Sequence, residues 1–187
     1  MRVWLASGSQ RRSEMLKPLC QDLYCKGLDS VDETSNAENV SEQVMEICRK
    51  KAGSVGKNVD FDLVVVSDTM LQDPDLDSKA IGKPKDAIDA ASMFHRLSGR
   101  RHRVWTATGI LFQNEWKFYL NQSIVEFEDL SDEVLVDLIL NNSWVGKAGG
   151  YDLAGEMGRY AKLVDGDEST VLGIAEDAMV IMQGLFG

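Results

Sequence analysis

Two rhythms of apolar and polar positions run along this chain. Residues 2–6, Arg-Val-Trp-Leu-Ala, read as a short first strand, and a polar loop leads from them into a helix over about Arg11 to Lys17, stopped near Pro18. Asp62-Leu-Val-Val-Val-Ser67 is a β-branched run without alternation, the pattern of a central strand covered on both faces. β-like patterning from Arg103 to Phe112 and from Trp116 to Phe127, with Gln113-Asn114-Glu115 between, predicts a long antiparallel hairpin. Helical spacing puts Ala87, Ala90, Ala91, Phe94 and Leu97 on one face behind a capping Asp86. Val134, Leu135, Leu138 and Ile139 stand likewise behind Ser131. A further helix, from about Ser41 to Val55, carries the apolar stripe Val44, Ile47, Cys48, Ala52 and Val55; Lys51 falls inside that stripe, while Lys50 points away. Strands alternate with helices and no linker, repeat or low-complexity run interrupts them, which predicts one mixed α/β (α+β) domain over residues 1–187.

Composition narrows the function classes. A chain of 187 residues buries roughly 70% of its unfolded surface without staples. The longest aliphatic run, Leu63 to Val66, falls far short of the roughly 20 residues that span a bilayer, and the N-terminus lacks the apolar core of a secretory signal. The expectation is a cytoplasmic protein with no membrane partner. A net charge of −10 argues against a nucleic acid polymer as partner and leaves small anions, provided positive charge is gathered locally. Three cysteines and two histidines show no zinc spacing, so the cysteines are expected to be reduced packing residues.

Several stretches carry candidate chemistry. Ser7-Gly8-Ser9-Gln10-Arg11-Arg12 follows the first strand and opens a helix, placing free N–H groups, hydroxyls and two guanidiniums where phosphate binds well; alternatively the serines cap and the arginines are solvated. It is neither a Walker A loop nor G-x-G-x-x-G. Asp68 and Thr69 are expected just past the carboxyl end of the most buried strand, where open α/β sheets bind ligands. A carboxylate there holds Mg²⁺ or orients a water, unless it is a turn aspartate satisfied locally. An aspartyl-nucleophile phosphatase needs Asp-x-Asp, and residue 66 is Val66. Asp32-Glu33 offers a second carboxylate, and the inward Lys51 and the lysine of Gly82-Lys83-Pro84 offer cations that are otherwise snorkelling or surface groups. Lys147-Ala-Gly-Gly-Tyr151, with Gly155 and Gly158, lets backbone approach a ligand or forms a tight turn. Asp73-Pro-Asp75-Leu-Asp77 lacks the Gly and Glu of an EF-hand and reads as a loop. The absence of G-x-S-x-G excludes the usual Ser-His-Asp elbow.

Taken together, Leu5-Ala-Ser7-x-Ser9-x-Arg11-Arg12, Val-Asp32-Glu33-Thr, Lys51-Ala52, Ser67-Asp68-Thr69, Gly82-Lys83-Pro84, Leu97-Ser-Gly99-x-x-His102-x-Val-x-Thr106, Leu130-Ser-Asp-Glu133 and Lys147-Ala-Gly-x-Tyr151 stand in one order and spacing. In that order the chain resembles the Maf family of nucleoside triphosphate pyrophosphatases over nearly its whole length. The resemblance implies a fold similar to the inosine triphosphate pyrophosphatases, an elongated mixed sheet with a cleft between two lobes, often dimeric. It implies hydrolysis of a nucleoside triphosphate to monophosphate and diphosphate with Mg²⁺, or another divalent ion such as Mn²⁺. Asp68 would be general base and metal ligand, Glu33 a second metal carboxylate, and Ser7, Arg11, Arg12, Lys51 and Lys83 the phosphate cradle.

Arg11 and Thr69 side with the family's pyrimidine type, which acts on dTTP, UTP and modified forms, rather than with the 7-methyl-GTP type. A third discriminating position, Gln in one type and Glu in the other, falls here on Ala154, which removes a side-chain hydrogen bond to the base. Gln10, Glu168 and Ala175 replace the family's usual Pro, Tyr and Pro. The departures keep open a nucleotide-binding regulatory protein, like a septum-formation inhibitor, with little turnover.

Overall fold

The β-branched run becomes the middle of a mixed sheet. The computed structural model describes residues 1–57 and 59–187. Strand β1 (Arg2–Leu5) runs parallel to both β2 (Asp22–Cys25) and β3 (Leu63–Gln72). Strands β4 (Ala80–Ile81), β5 (Arg101–Phe112), β6 (Glu115–Phe127) and β7 (Ala161–Asp165) join antiparallel, giving the order β2-β1-β3-β5-β6-β7 with β4 beside the end of β3. Helices α1 (Gln10–Leu16) and α2 (Val40–Gly53) precede β3, α3 (Ala87–Leu97) and α4 (Asp132–Leu140) bracket the hairpin, and α5 (Glu168–Leu172) and α6 (Glu176–Phe186) close the chain.

Side chains alternate across a strand, so β3 feeds two cores. Leu63 and Val65 pack with Leu16 of α1 and with Ala178 and Met182 of α6. Val64 and Val66 pack with Val44, Cys48 and Ala52 of α2. A third cluster, built on Phe94 and Leu97 of α3, Leu138 of α4, and Val104, Phe127 and Tyr151, takes in Leu71 near the end of β3. The helix caps are those expected: the Asp86 carboxylate accepts from Asp89 N at 2.8 Å, and the Ser131 hydroxyl from Val134 N at 3.4 Å.

Two elements differ from the sequence expectation. Glu115 belongs to β6, not to the hairpin turn, because Gln113 (φ 52°) and Asn114 (φ 63°) complete a two-residue turn by themselves. Asp68 and Thr69 do not follow the central strand; they lie inside it, since β5 keeps pairing with β3 as far as Gln72↔Arg103. What ends early is the other neighbour. β1 accompanies β3 only over Leu63 to Val65, and β4 only at Leu71 and Gln72. Between them one edge of β3 carries no strand, and the chain leaving β1 turns away as Ser7-Gly8-Ser9.

On β5, His102 is buried, edge-on to Phe127 and Tyr151 with ring centroids at 5.2 and 5.4 Å. Its Nε2 shares a 2.7 Å hydrogen bond with the Tyr151 hydroxyl, while Nδ1 is buried without a partner. Burial pushes the imidazole pKa down to about 4. The folded chain therefore holds His102 neutral, whereas the unfolded chain takes up a proton as pH falls through about 6.5. Stability present above that pH is lost down to about 4, with a slope near 1.4 kcal/mol per unit. Urea unfolding between pH 7.5 and 4.5 is expected to show this excess slope in the wild type and not in His102→Gln; parallel pH dependences would contradict it.

Candidate active site

The period-two alternation that splits the core also sorts the polar residues that follow it along β3. Asp68, on the same face as Val64 and Val66, looks toward α2, and Ser67 and Thr69 look toward α1. On α2 the apolar stripe brings Lys51 down onto the sheet, where its ammonium meets Asp68 Oδ1 at 2.8 Å and Glu33 Oε1 at 2.9 Å. Both the Lys51 and Asp68 side chains are only 12% exposed. Lys50, one residue earlier, faces outward to Asp32 and Glu46. Partial burial alone would raise the Glu33 carboxyl, but the Lys51 hydrogen bond and charge, with Lys83 and Arg12 behind, hold it below its ordinary pKa.

On the opposite face Arg12 is nearly saturated by the protein. Its Nε donates to Gly173 O at 2.7 Å, Nη1 to Ser7 Oγ and Ser67 O at 3.1 Å each, and Nη2 to Thr69 Oγ1 at 3.0 Å. Gly173 O also accepts from Ser67 Oγ at 2.7 Å, and Thr69 Oγ1 shares a 2.9 Å bond with Thr106 Oγ1. Gly173 has φ 114°, and a Cβ there would stand 2.7 Å from Arg12 Nε, so glycine is required on both counts. Burial lowers the Arg12 pKa, partly offset by the Asp68 charge. Arg12 thus pins α1, β3 and the turn between α5 and α6 together.

A cleft of about 950 Å³ opens above this floor. Ser7, Arg11, Arg12, Glu33, Lys51, Asp68, Thr69, Lys83 and Ala154 all line it, so residues dispersed over most of the sequence converge on one cavity. Lys83 arrives through Gly82, whose carbonyl accepts from Gly149 N at 2.9 Å. Gly149 (φ 65°) lies in the left-handed region and close to the strand, and a Cβ there would sit 2.3 Å from Leu71 Cδ2 and force that side chain to move. Cys48 lies under the floor; burial, and then the Asp68 charge, push its thiol up to about 12, so it is an inert packing group.

Asp68 Oδ2 is buried and has no hydrogen-bond partner. An unpaired, hard carboxylate oxygen beside a second carboxylate suits a divalent cation. Among the described residues no group of three or more His, Cys, Asp or Glu gathers as a metal cluster. Asp68 and Glu33 are the two residues that would hold such an ion, and so small a carboxylate set fits Mg²⁺, which keeps several of its waters.

Sequence reasoning passed over Asp152 altogether and gave Lys147 no role, although both line the cleft. Asp152 Oδ1 stands 3.8 Å from Arg11 Nη1 and Oδ2 3.9 Å from Lys147 Nζ. A carboxylate placed inside a glycine-rich segment was the available signal.

The chain matches the sequence model of the Maf-like protein family over residues 2–182. It is 31% identical over 172 residues to a dTTP/UTP pyrophosphatase of Pyrococcus abyssi (strain GE5 / Orsay), covering 92% of this chain and 89% of that one. It is 35% identical over 186 residues to a dTTP/UTP pyrophosphatase of Ruegeria sp. (strain TM1040), covering 97% and 93%. A solved structure, the Ham1 protein of Staphylococcus aureus, aligns with TM-score 0.46 at 17% identity over 69% of this chain and 73% of that one.

The two arginines should separate by stability. Arg12→Lys removes most of a buried set of charged hydrogen bonds and is expected to cost about 3 kcal/mol. Arg11→Lys, at a looser and partly exposed pair, should cost about 1 kcal/mol or less. Denaturant unfolding of both variants checks this, and equal costs would contradict it.

Proposed function

The chain belongs to the Maf-like protein family, and on that premise we propose that it hydrolyses nucleoside triphosphates, dTTP and UTP foremost, to the monophosphate and diphosphate. The observation that carries the reading is the buried, unpartnered Asp68 Oδ2, set beside Lys51 at the floor of a cation-lined cleft.

In this reading the triphosphate lies along the floor. Lys51 and Lys83 offset its charge, and the N-terminal turn of α1 offers N–H groups and the Ser7 hydroxyl. Arg12 contributes mainly by holding Ser7 and the β3 backbone in place. Asp68 Oδ2 orients a water and takes its proton as the water oxygen bonds to the α-phosphorus and the bond from that phosphorus to the α–β bridging oxygen breaks, releasing diphosphate and leaving the monophosphate. A divalent ion held by Asp68 and Glu33 would supply charge neutralisation at the phosphates and acidify a bound water. Catalysis in this reading is positioning plus electrostatic stabilisation.

A cytoplasmic setting and a homodimer belong to the same reading. Free Cys20, Cys25 and Cys48 suit a reducing compartment. Exposed Val136 and Leu140 on α4 and Val180 and Ile181 on α6 provide apolar surface for a second copy.

Incubation with dTTP, UTP, CTP and 7-methyl-GTP plus Mg²⁺ is expected to release diphosphate, with dTTP and UTP preferred. Asp68→Asn should lower kcat by about 10²-fold or more. Diphosphate release from none of the four would overturn the reading.

A further inference from the structure

Asp152 is the one carboxylate of the cleft wall formed by the loop after α4, and its setting differs from that of Asp68. It sits between two cations, Arg11 at 3.8 Å from one oxygen and Lys147 at 3.9 Å from the other. Those separations exceed hydrogen-bond length, so the cations flank the carboxylate without occupying its lone pairs. Oδ1 accepts from Ala154 N at 3.1 Å, a tight local turn that orients the carboxylate. The preceding residue, Tyr151, is buried and tied to His102 by its 2.7 Å bond, so Asp152 stands on an anchored backbone. Only 12% of its side chain is exposed, and it lines the cleft.

The carboxylate thus stands between a guanidinium beside one oxygen and an ammonium beside the other, which sets an acceptor between two donors. Uracil and thymine present the complementary edge, O4, N3–H and O2, as acceptor, donor, acceptor. Cytosine offers N4–H₂, N3 and O2, which sets its ring nitrogen's lone pair against the carboxylate. Guanine offers O6, N1–H and N2–H₂, which sets an amino group against the second cation. Resting on the nucleotide-hydrolase reading above, we propose that Asp152, flanked by Arg11 and Lys147, is the base-reading residue of this cleft and selects the imide edge of uracil or thymine. It supplies the acceptor for N3–H that Ala154, with no polar side chain, does not. Arg11 and Lys147 bind O4 and O2.

Calorimetric titration with the α,β-imido analogues of UTP, CTP and N3-methyl-UTP, in the presence of Mg²⁺, tests this without requiring turnover. Wild type is expected to bind the UTP analogue at least tenfold more tightly than either of the others, since each lacks the N3–H donor. Asp152→Asn keeps the Oδ1 acceptor for Ala154 N, and so the local turn, but replaces the second oxygen with an N–H₂ donor. It is expected to narrow the UTP-to-CTP preference at least tenfold or to invert it. Equal wild-type affinities for the three analogues, or an unchanged preference in Asp152→Asn, would overturn the assignment. Diphosphate release from UTP is read separately: its absence with the binding preference intact would overturn the reaction and leave the base-reading role standing.

Discussion

A lysine ammonium lodged between a nearly buried aspartate and a half-exposed glutamate at the edge of the sheet is the interaction on which the rest of this molecule depends. Taking the lysine or the aspartate out of water alone costs several kcal/mol. Lys51, Asp68 and Glu33 are tolerated because each offsets the next, and because α2 delivers the lysine along the same stripe that packs Val44, Cys48 and Ala52 against β3. The compensation is incomplete in one place. Asp68 Oδ2 is left without a donor, and a group held at that cost is a natural place for a ligand, a water or an ion to bind.

Arg12 bears the opposite relation to the cleft. It faces the same cavity yet spends its donors on Gly173, Ser7, Ser67 and Thr69. Stretches from the beginning, middle and end of the chain are joined through one guanidinium, with Thr106 and Thr108 of β5 extending the network by Thr106 Oγ1 to Thr170 O and by Ala175 N to Thr108 Oγ1. Thr69, which the resemblance placed among the base-discriminating positions, lines the cleft with its hydroxyl already bonded to Arg12 and Thr106.

Much of this was legible in the sequence, and the reasons are local. Lys51 was visible because a charge inside an apolar stripe violates a 3.6-residue period, and the buried strand because four aliphatic residues run together without alternation. The Asp86 and Ser131 caps and the long hairpin follow from short-range chemistry. What could not be read was where β3 ends, since that is decided by partners: β5 persists while β1 leaves. Nor could the division of labour between Arg11 and Arg12, adjacent and chemically identical, be read from a linear string. It arises from the turn of α1, which sends one toward Gly173 and the other toward Asp152. Asp152 itself was hidden because its importance lies in two cations that only the fold brings beside it.

The alternation along β3 also bears on how such a chain can change in length over evolutionary time. Leu63 to Thr69 is one uninterrupted strand, so a single codon gained or lost within it would exchange every side chain beyond that point between the two faces. The acid would be delivered to the side of Arg12, the hydroxyls to the side of the lysine, and both cores would be inverted at the same stroke. A residue gained or lost in the segment between β3 and β4, outside the paired strand, leaves the spacing between hydrophobic strand and acid intact.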